Sequence, residues 1–219
     1  SGVIPVPRDV PLEVAALIGC SVTTGVGAAI YAARVEPGST VAVVGCGGVG
    51  LNVVQGARLA HASRIIAVDV ADDKLEFTLR FGATHTVNAR AEEPVGRIRE
   101  LTGGRGVDYA FDVFGSPETT RVAYEATRRG GTTVVVGLAA EGETGAIELV
   151  SLVRQEKTLK GTYYGSARPR QDMPRLVELY RQGHLDIEGL ITRRYRLEQV
   201  NQAYEDLEAG KLGRGVIVF

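Results

Sequence analysis

A glycine-rich segment is the first feature of this sequence whose residue types and spacing could do chemistry. Residues Gly45–Gly50 read G-C-G-G-V-G, which matches the pattern G-x-G-x-x-G. Between a strand and a helix, Gly45 permits a tight turn, Gly47 lets a diphosphate approach the backbone, and Gly50 allows the helix to pack closely. The N–H groups at the start of a helix from Gly48 attract phosphate. The segment therefore predicts a dinucleotide site.

An acidic residue, Asp69, supplies the second half of this pattern. It stands about 20 residues beyond the glycines, directly after the apolar run Arg64–Val68. A carboxylate there accepts hydrogen bonds from ribose hydroxyls and repels a 2′-phosphate, so NAD is predicted rather than NADP. Lys74 is placed to reach the ribose edge. The competing interpretation is a glycine turn and a surface aspartate that caps a helix from Asp72.

The segments around these residues alternate between apolar strands and helices. Predicted strands are Thr40–Val44, Arg64–Val68, Thr84–Val87, Val107–Phe111 and Thr132–Val136. Predicted helices are Gly48–Leu59, Asp72–Phe81, Pro94–Leu101 and Glu118–Thr127. Strands without polar alternation, separated by helices, are typical of a parallel sheet covered on both faces. The sequence therefore predicts an α/β fold with a doubly wound parallel sheet, the Rossmann arrangement.

The pattern is less regular on both sides of this core, and it predicts three regions. Lead-in and linker helices occupy 1–35, a dinucleotide-binding Rossmann domain 36–165, and C-terminal helices with a strand 166–219. In the first region, residues 19–25 are expected to interrupt the helical pattern. The flanking elements predicted are helices Leu12–Ile18, Val26–Val35, Met173–Gln182 and Leu197–Ala209, an edge strand Ala146–Val150, and strands Thr158–Tyr164 and Gly215–Phe219.

Composition excludes several classes of protein. The 219 residues are 44% hydrophobic and 23% charged, which is ordinary for a globular protein. The net charge of −1 argues against nucleic-acid or membrane-surface partners. Apolar runs such as Thr133–Val136 are too short to span a bilayer, and no secretion signal is recognisable. Because two cysteines, Cys20 and Cys46, cannot form a disulfide framework, a cytoplasmic location is predicted.

Several stretches together resemble the nucleotide-binding half of the zinc-containing, medium-chain alcohol dehydrogenases. The resemblance covers essentially the whole chain. Its glycine and acid pattern is shared by many dehydrogenases, whereas the Gly19-Cys20 stretch is more specific. The matching stretches are Leu17–Gly25 (L-I-G-C-S-V-T-T-G), Gly45–Leu51, Ile65–Asp69 with Lys74, Gly82–Thr84 and Gly210–Gly215.

The resemblance implies roles for individual residues. Cys20 matches a thiolate ligand of a catalytic zinc, Thr24 lies beside the nicotinamide ring, and Arg214 pairs with the pyrophosphate, which suits a planar guanidinium. Val113 and Phe114 match the adenosine side. The resemblance further implies that Val136, Leu138 and Tyr164 contact the nicotinamide. The other implied cofactor residues belong to the glycine turn and acidic pattern: Gly45, Gly47, Gly48, Val49, Gly50, Asp69 and Lys74.

The resemblance also implies parts that this sequence does not match. In the family a catalytic domain precedes the cofactor domain and supplies further zinc ligands, the proton relay and most of the substrate pocket. A catalytic zinc needs about three protein ligands, and Cys20 stands in no C-x-x-C or H-E-x-x-H pattern. The chain is therefore expected to be the cofactor-binding half, inactive alone and without catalytic residues of its own. The segment Ala146–Leu149 matches an edge strand through which family members form dimers, which implies a homodimer or larger assembly.

The implied function is hydride transfer between a primary or secondary alcohol and NAD in a zinc-dependent enzyme that acts on small alcohols and aldehydes. Two alternatives stay open. One is a non-catalytic NAD-binding module, because a fold does not fix a function. The other is a zinc-free quinone or enoyl reductase of the same superfamily, which Cys20 and its glycine neighbour disfavour.

Overall fold

The computed structural model describes residues 3–219, so residues 1 and 2 of the predicted lead-in lie outside it. A six-stranded sheet forms the centre of the molecule. Its strands are β1 Thr40–Val44, β2 Arg64–Asp69, β3 His85–Asn88, β4 Val107–Asp112, β5 Thr127–Val135 and β6 Thr158–Gly161. They lie in the order β3-β2-β1-β4-β5-β6, and all neighbouring strands are parallel, which confirms the predicted doubly wound α/β fold.

Helices cover both faces of the sheet because alternate strand residues point to opposite sides. The helices are α1 Leu12–Leu17, α2 Thr23–Gly27, α3 Gly48–Leu59, α4 Asp72–Leu79, α5 Pro94–Leu101, α6 Pro117–Ala126, α7 Leu149–Arg154, α8 Pro169–Arg181 and α9 Val200–Glu208. Val41 and Val43 of β1 belong to a core with the residues of α2 and α3, whereas Ala42 and Val44 face α5 and α6.

A second, two-stranded parallel sheet lies near the C-terminus. Strand β7 covers Ile191–Tyr195 and pairs with β8, Arg214–Ile217. The last strand, predicted over Gly215–Phe219, begins one residue earlier and ends two residues earlier, and β7 is not predicted. Arg193 and Arg194 in the middle of β7 are exposed, so the strand lacks the apolar run by which buried strands are recognised.

The predicted interruption of the N-terminal helix is wrong. Helical structure continues from Leu12 to Ala33: a π-helical turn at Ile18–Val22 joins α1 to α2, and a second at Ala28–Ala33 follows α2. Glycines within it serve packing: a Cβ on Gly25 would lie 2.4 Å from the Val49 carbonyl oxygen of α3. The close approach of α3 therefore explains a glycine that reads as a helix breaker in the sequence.

This continuous helical segment, Leu12–Ala33, is long and apolar enough by composition to cross a membrane. The shorter apolar runs visible in the sequence do not indicate this property. Most of it is buried inside the fold, however. Val14, Val22 and Val26 all belong to the hydrophobic core that lies against α3 and the sheet. Burial within the protein is sufficient to explain its apolar composition.

The predicted edge strand over Ala146–Val150 is also wrong. Residues 146–148 have no regular structure, and α7 begins at Leu149. The edge position beside β5 is filled by β6 instead, and residues 146–148 pair with no strand among residues 3–219. Strand β6 is shorter than predicted and ends at Gly161, before a 3₁₀ turn at Tyr164–Ser166.

One hydrophobic core connects all three predicted regions. It includes Val10 from the first, Val41 from the second and Val216 from the third. The division at residues 35 and 165 stays a prediction about domain organisation.

Candidate dinucleotide-binding site

The glycine turn follows β1 at the carboxyl edge of the sheet. Strand β1 lies between β2 and β4, where the strand order reverses, and crevices at such a point bind ligands in open α/β sheets. Gly45 has φ +99°, which favours glycine, and its N–H donates to the Val68 carbonyl at 2.9 Å. A Cβ on Gly50 would lie only 2.0 Å from the Gly45 carbonyl oxygen. Both glycines are required for α3 to begin directly at the turn.

The N-terminus of α3 faces open space. Gly47 is its N-cap residue, and no side chain of the described residues caps the helix there. A Cβ on Gly47 would meet no atom within 4 Å. The free N–H groups and the positive end of the helix dipole can therefore receive an anion without moving any side chain.

Asp69 is fixed at the end of β2 by three backbone N–H groups. Its Oδ2 accepts from the Cys46 N–H at 2.7 Å, and its Oδ1 accepts from Val70 at 2.8 Å and Ala71 at 3.2 Å. The half-buried carboxylate is thus attached to the glycine turn itself. This arrangement holds a negative charge beside the phosphate-binding turn, where it can accept hydrogen bonds from a sugar.

Arg214, the first residue of β8, lies against the opposite side of the turn. A Cβ on Gly48 would lie 1.8 Å from the Arg214 Nε, so a side chain at this position would displace the guanidinium. Its Nε is the one buried side-chain polar atom among residues 3–219 without a hydrogen-bond partner. Burial lowers the pKa of this guanidinium from its usual value. Because buried polar groups are nearly always paired, this unpaired N–H is a donor that an anion at the glycine turn could use.

Two adjoining cavities form one crevice along these residues. Val49, Val113 and Phe114 line both cavities. The first, of about 300 Å³, is also lined by Gly45, Gly47, Gly48, Gly50, Asp69, Lys74 and Arg214. The second, of about 330 Å³, is lined by Cys20, Thr24, Val136, Leu138 and Tyr164. The structure thus brings every predicted cofactor residue to one crevice, while their binding roles stay predictions.

Several further residues line this crevice beyond those predicted to bind the cofactor. A signal existed for the stretch that precedes Arg214, because it forms part of the family resemblance. The additional lining residues are Cys46, Leu207, Gly210, Lys211 and Gly213 in the first cavity and Gly137, Thr162 and Tyr163 in the second.

Comparison with known proteins identifies the family. The model of the zinc-binding dehydrogenase family matches residues 48–182, which is more than half of the chain. This chain belongs to the zinc-binding dehydrogenase family. The resemblance to zinc-containing alcohol dehydrogenases is thereby confirmed.

Similar proteins are named as dehydrogenases, two of the following three as alcohol dehydrogenases. The NDMA-dependent alcohol dehydrogenase of Amycolatopsis methanolica is 43% identical over 99% of this chain and 59% of that protein. The S-(hydroxymethyl)glutathione dehydrogenase of Saccharomyces cerevisiae is 41% identical over 98% of this chain and 57% of that protein. The crystal structure of benzyl alcohol dehydrogenase from Acinetobacter calcoaceticus matches with a TM-score of 0.94 and 36% identity, covering 98% of this chain and 59% of that one. The chain spans less than two thirds of the length of each of these relatives.

The described residues of this zinc-binding dehydrogenase chain do not form a zinc site by themselves. Cys20 lies exposed on the first π-helical turn, next to Gly19, whose carbonyl accepts a hydrogen bond from the Tyr164 hydroxyl. Among residues 3–219, no group of three or more His, Cys, Asp or Glu side chains could hold a metal ion. A role for Cys20 as a zinc ligand therefore requires ligands from outside these residues and stays a prediction.

The two cysteines should differ sharply in reactivity. We expect iodoacetamide to alkylate the exposed Cys20 at least about tenfold faster than the buried Cys46. Burial, and next the negative charge of Asp69, raise the pKa of the Cys46 thiol far above its usual value. Peptide mass spectrometry after timed labelling at pH 8 measures both rates. Cys20→Ser is the control and should leave only slow labelling; equal rates in the unaltered protein would contradict the burial of Cys46.

Proposed function

We propose that this chain is the NAD-binding part of a zinc-dependent alcohol dehydrogenase that interconverts small alcohols with aldehydes or ketones. The unpartnered, buried Nε of Arg214, facing the glycine turn across Gly48, is the observation that carries the proposal. The geometry fits a diphosphate, because N–H donors lie on one side and a guanidinium on the other. The names of two relatives, both alcohol dehydrogenases, support the reaction class.

The adenosine end is assigned to Asp69 and its neighbours. The carboxylate is held by Cys46, Val70 and Ala71 and accepts from the hydroxyls of the adenosine ribose. Its negative charge disfavours a 2′-phosphate, which supports NAD over NADP. Lys74 lines the same cavity and flanks the sugar.

The second cavity is assigned to the nicotinamide. The bound ring supplies the chemistry by accepting a hydride from an alcohol carbon or returning it. Thr24, Val136 and Leu138 position the ring and exclude water from one of its faces. Cys20 lies in the same cavity, where a zinc ion completed by ligands from outside this chain would polarise the alcohol oxygen.

Calorimetric titration of the chain with NAD and with NADP tests the proposal. We expect NAD to bind with a dissociation constant of about 1 mM or tighter. We expect NADP to bind at least about tenfold more weakly, because Asp69 faces its additional phosphate. Failure of NAD to bind at millimolar concentration would overturn the proposed function.

Assays on the full-length protein that carries this chain separate the proposed enzyme from its two alternatives. Zinc together with NAD-dependent alcohol oxidation supports the alcohol dehydrogenase. NAD binding without turnover of alcohols or aldehydes supports a binding module. Reduction of quinones or activated alkenes without zinc supports the reductase.

We also propose that this protein forms a homodimer through the region around α7 and that it is located in the cytoplasm. The side chains of Leu149 and Val153 on α7 are 72% and 74% exposed, which supports an apolar contact with a second copy. Cys20 and Cys46 are both unpaired, which suits a reducing compartment. Sedimentation velocity should show a dimer that Leu149→Asp shifts toward monomer; a pure monomer at high concentration would exclude the contact.

A further inference from the structure

A buried carboxylate outside the crevice gathers four hydrogen-bond donors. Asp206 of α9 is only 5% exposed. Its Oδ2 accepts from the Tyr195 hydroxyl at 2.6 Å and from Arg193 Nη1 at 2.7 Å. Its Oδ1 accepts from Lys211 Nζ at 2.5 Å and from Gln202 Nε2 at 3.1 Å. One side chain thus joins helix α9, strand β7 and the loop at 209–213.

This loop leads directly into Arg214. The Lys211 N–H donates to the Asp206 carbonyl at 3.1 Å, and the Thr192 hydroxyl of β7 donates to the Leu212 carbonyl at 2.5 Å. Gly213, with φ +71°, packs so closely that an added Cβ would lie 2.3 Å from the Thr192 side chain. The position of the Arg214 backbone is therefore set by the loop that Asp206 anchors.

The anchor persists at all ordinary pH values. The hydrogen bond from Lys211, and next that from Tyr195, hold the pKa of the Asp206 carboxyl well below its usual range. The carboxylate therefore stays ionised and keeps its two cationic partners, Arg193 and Lys211. Asp206 itself does not line the cavity beside the glycine turn, whereas Lys211 and Arg214 do.

We infer that Asp206 is a positioning residue for diphosphate binding, which acts through Lys211 and the 209–213 loop to hold the Arg214 guanidinium against Gly48. The inference rests on the proposed function, because it assigns the same crevice to a dinucleotide. Asp206 makes no contact with the ligand in this scheme. Its whole effect on affinity passes through Arg214.

A double-mutant cycle measured by calorimetry with NAD tests this inference. Asp206→Asn keeps the shape of the side chain but removes the charge, and we expect it to weaken NAD binding about tenfold. Arg214→Gln alone should weaken it at least about tenfold, since a charge-assisted hydrogen bond is lost. In the Arg214→Gln background, Asp206→Asn should change affinity by less than about twofold.

A purely structural role predicts another pattern. Asp206→Asn would then weaken NAD binding by the same factor with Arg214 present or replaced, or leave it unchanged in the folded protein. Either result overturns the inference. If the unaltered chain does not bind NAD, the proposed function itself fails, which is a distinct outcome.

Two further variants make the test robust. Tyr195→Phe removes one hydrogen bond to Asp206 and should weaken NAD binding about threefold, again only when Arg214 is present. This variant keeps the test possible if Asp206→Asn does not fold. Asp172→Asn is the matched control. Asp172 is a 1% exposed carboxylate that accepts from Arg175 Nη1 at 2.9 Å, outside the crevice. Its replacement should lower the midpoint of thermal unfolding but leave NAD affinity unchanged. A loss of NAD affinity in Asp172→Asn as large as that in Asp206→Asn would count against a specific role for Asp206.

Discussion

Replacement of Asp69 by alanine should weaken NAD binding about tenfold to hundredfold, because hydrogen bonds to an ionised group contribute about 1.5–3 kcal/mol. NADP binding should stay the same or improve, since the charge that repels its 2′-phosphate is gone. Calorimetric titration of the variant with both dinucleotides measures the change in their affinity ratio. An unchanged ratio would show that Asp69 does not contact the ribose.

The control for this experiment is Asp69→Asn. Alanine also removes the acceptor for the N–H groups of Cys46, Val70 and Ala71, and so alters the turn itself. Asparagine keeps one carbonyl oxygen as an acceptor but carries no charge. A shift of the affinity ratio in both variants assigns selectivity to the charge, whereas a shift in alanine alone assigns it to distortion of the turn.

Gly25→Ala should lower the free energy of unfolding by about 3 kcal/mol. The added Cβ would lie 2.4 Å from the Val49 carbonyl oxygen, 2.5 Å from the Asn52 Cβ and 2.8 Å from the Val53 nitrogen. Two of these are backbone atoms of α3, which cannot rotate away as a flexible side chain would. Urea-induced unfolding, followed by circular dichroism, gives the difference in free energy.

Gly19→Ala is the matched control, because Gly19 belongs to the same helical segment and an added Cβ there meets no atom within 4 Å. Alanine favours a helix over glycine by up to about 1 kcal/mol, so this variant should be as stable as the unaltered protein or more so. Equal stability of the two variants would contradict the close approach of α2 and α3.

Local patterns were sufficient to predict the central sheet and the turn. The strand Thr40–Val44 is observed with its predicted bounds, because a short β-branched run between turn residues has few alternatives. The glycines and Asp69 were located for the same reason: each follows a strand whose end is visible in the sequence.

The missed elements depend on contacts between distant parts of the chain. Gly25 reads as a helix breaker until α3 is known to lie against it, and β7 is stabilised by pairing with β8 rather than by an apolar run. Arg214 was assigned only through the family resemblance. Its position requires β8 to lie beside the start of α3, which no local pattern indicates.

The buried Arg214 Nε has a consequence for the lifetime of the protein. An unpaired buried donor costs about 1–3 kcal/mol, and the Arg214 Nε is such a donor among residues 3–219. A diphosphate bound as proposed would remove this cost, so chains without cofactor would open more often and be degraded sooner by proteases. The cellular supply of dinucleotide would then influence the abundance of the protein, and an apolar residue in place of Arg214 would give a more durable chain that has lost its ligand.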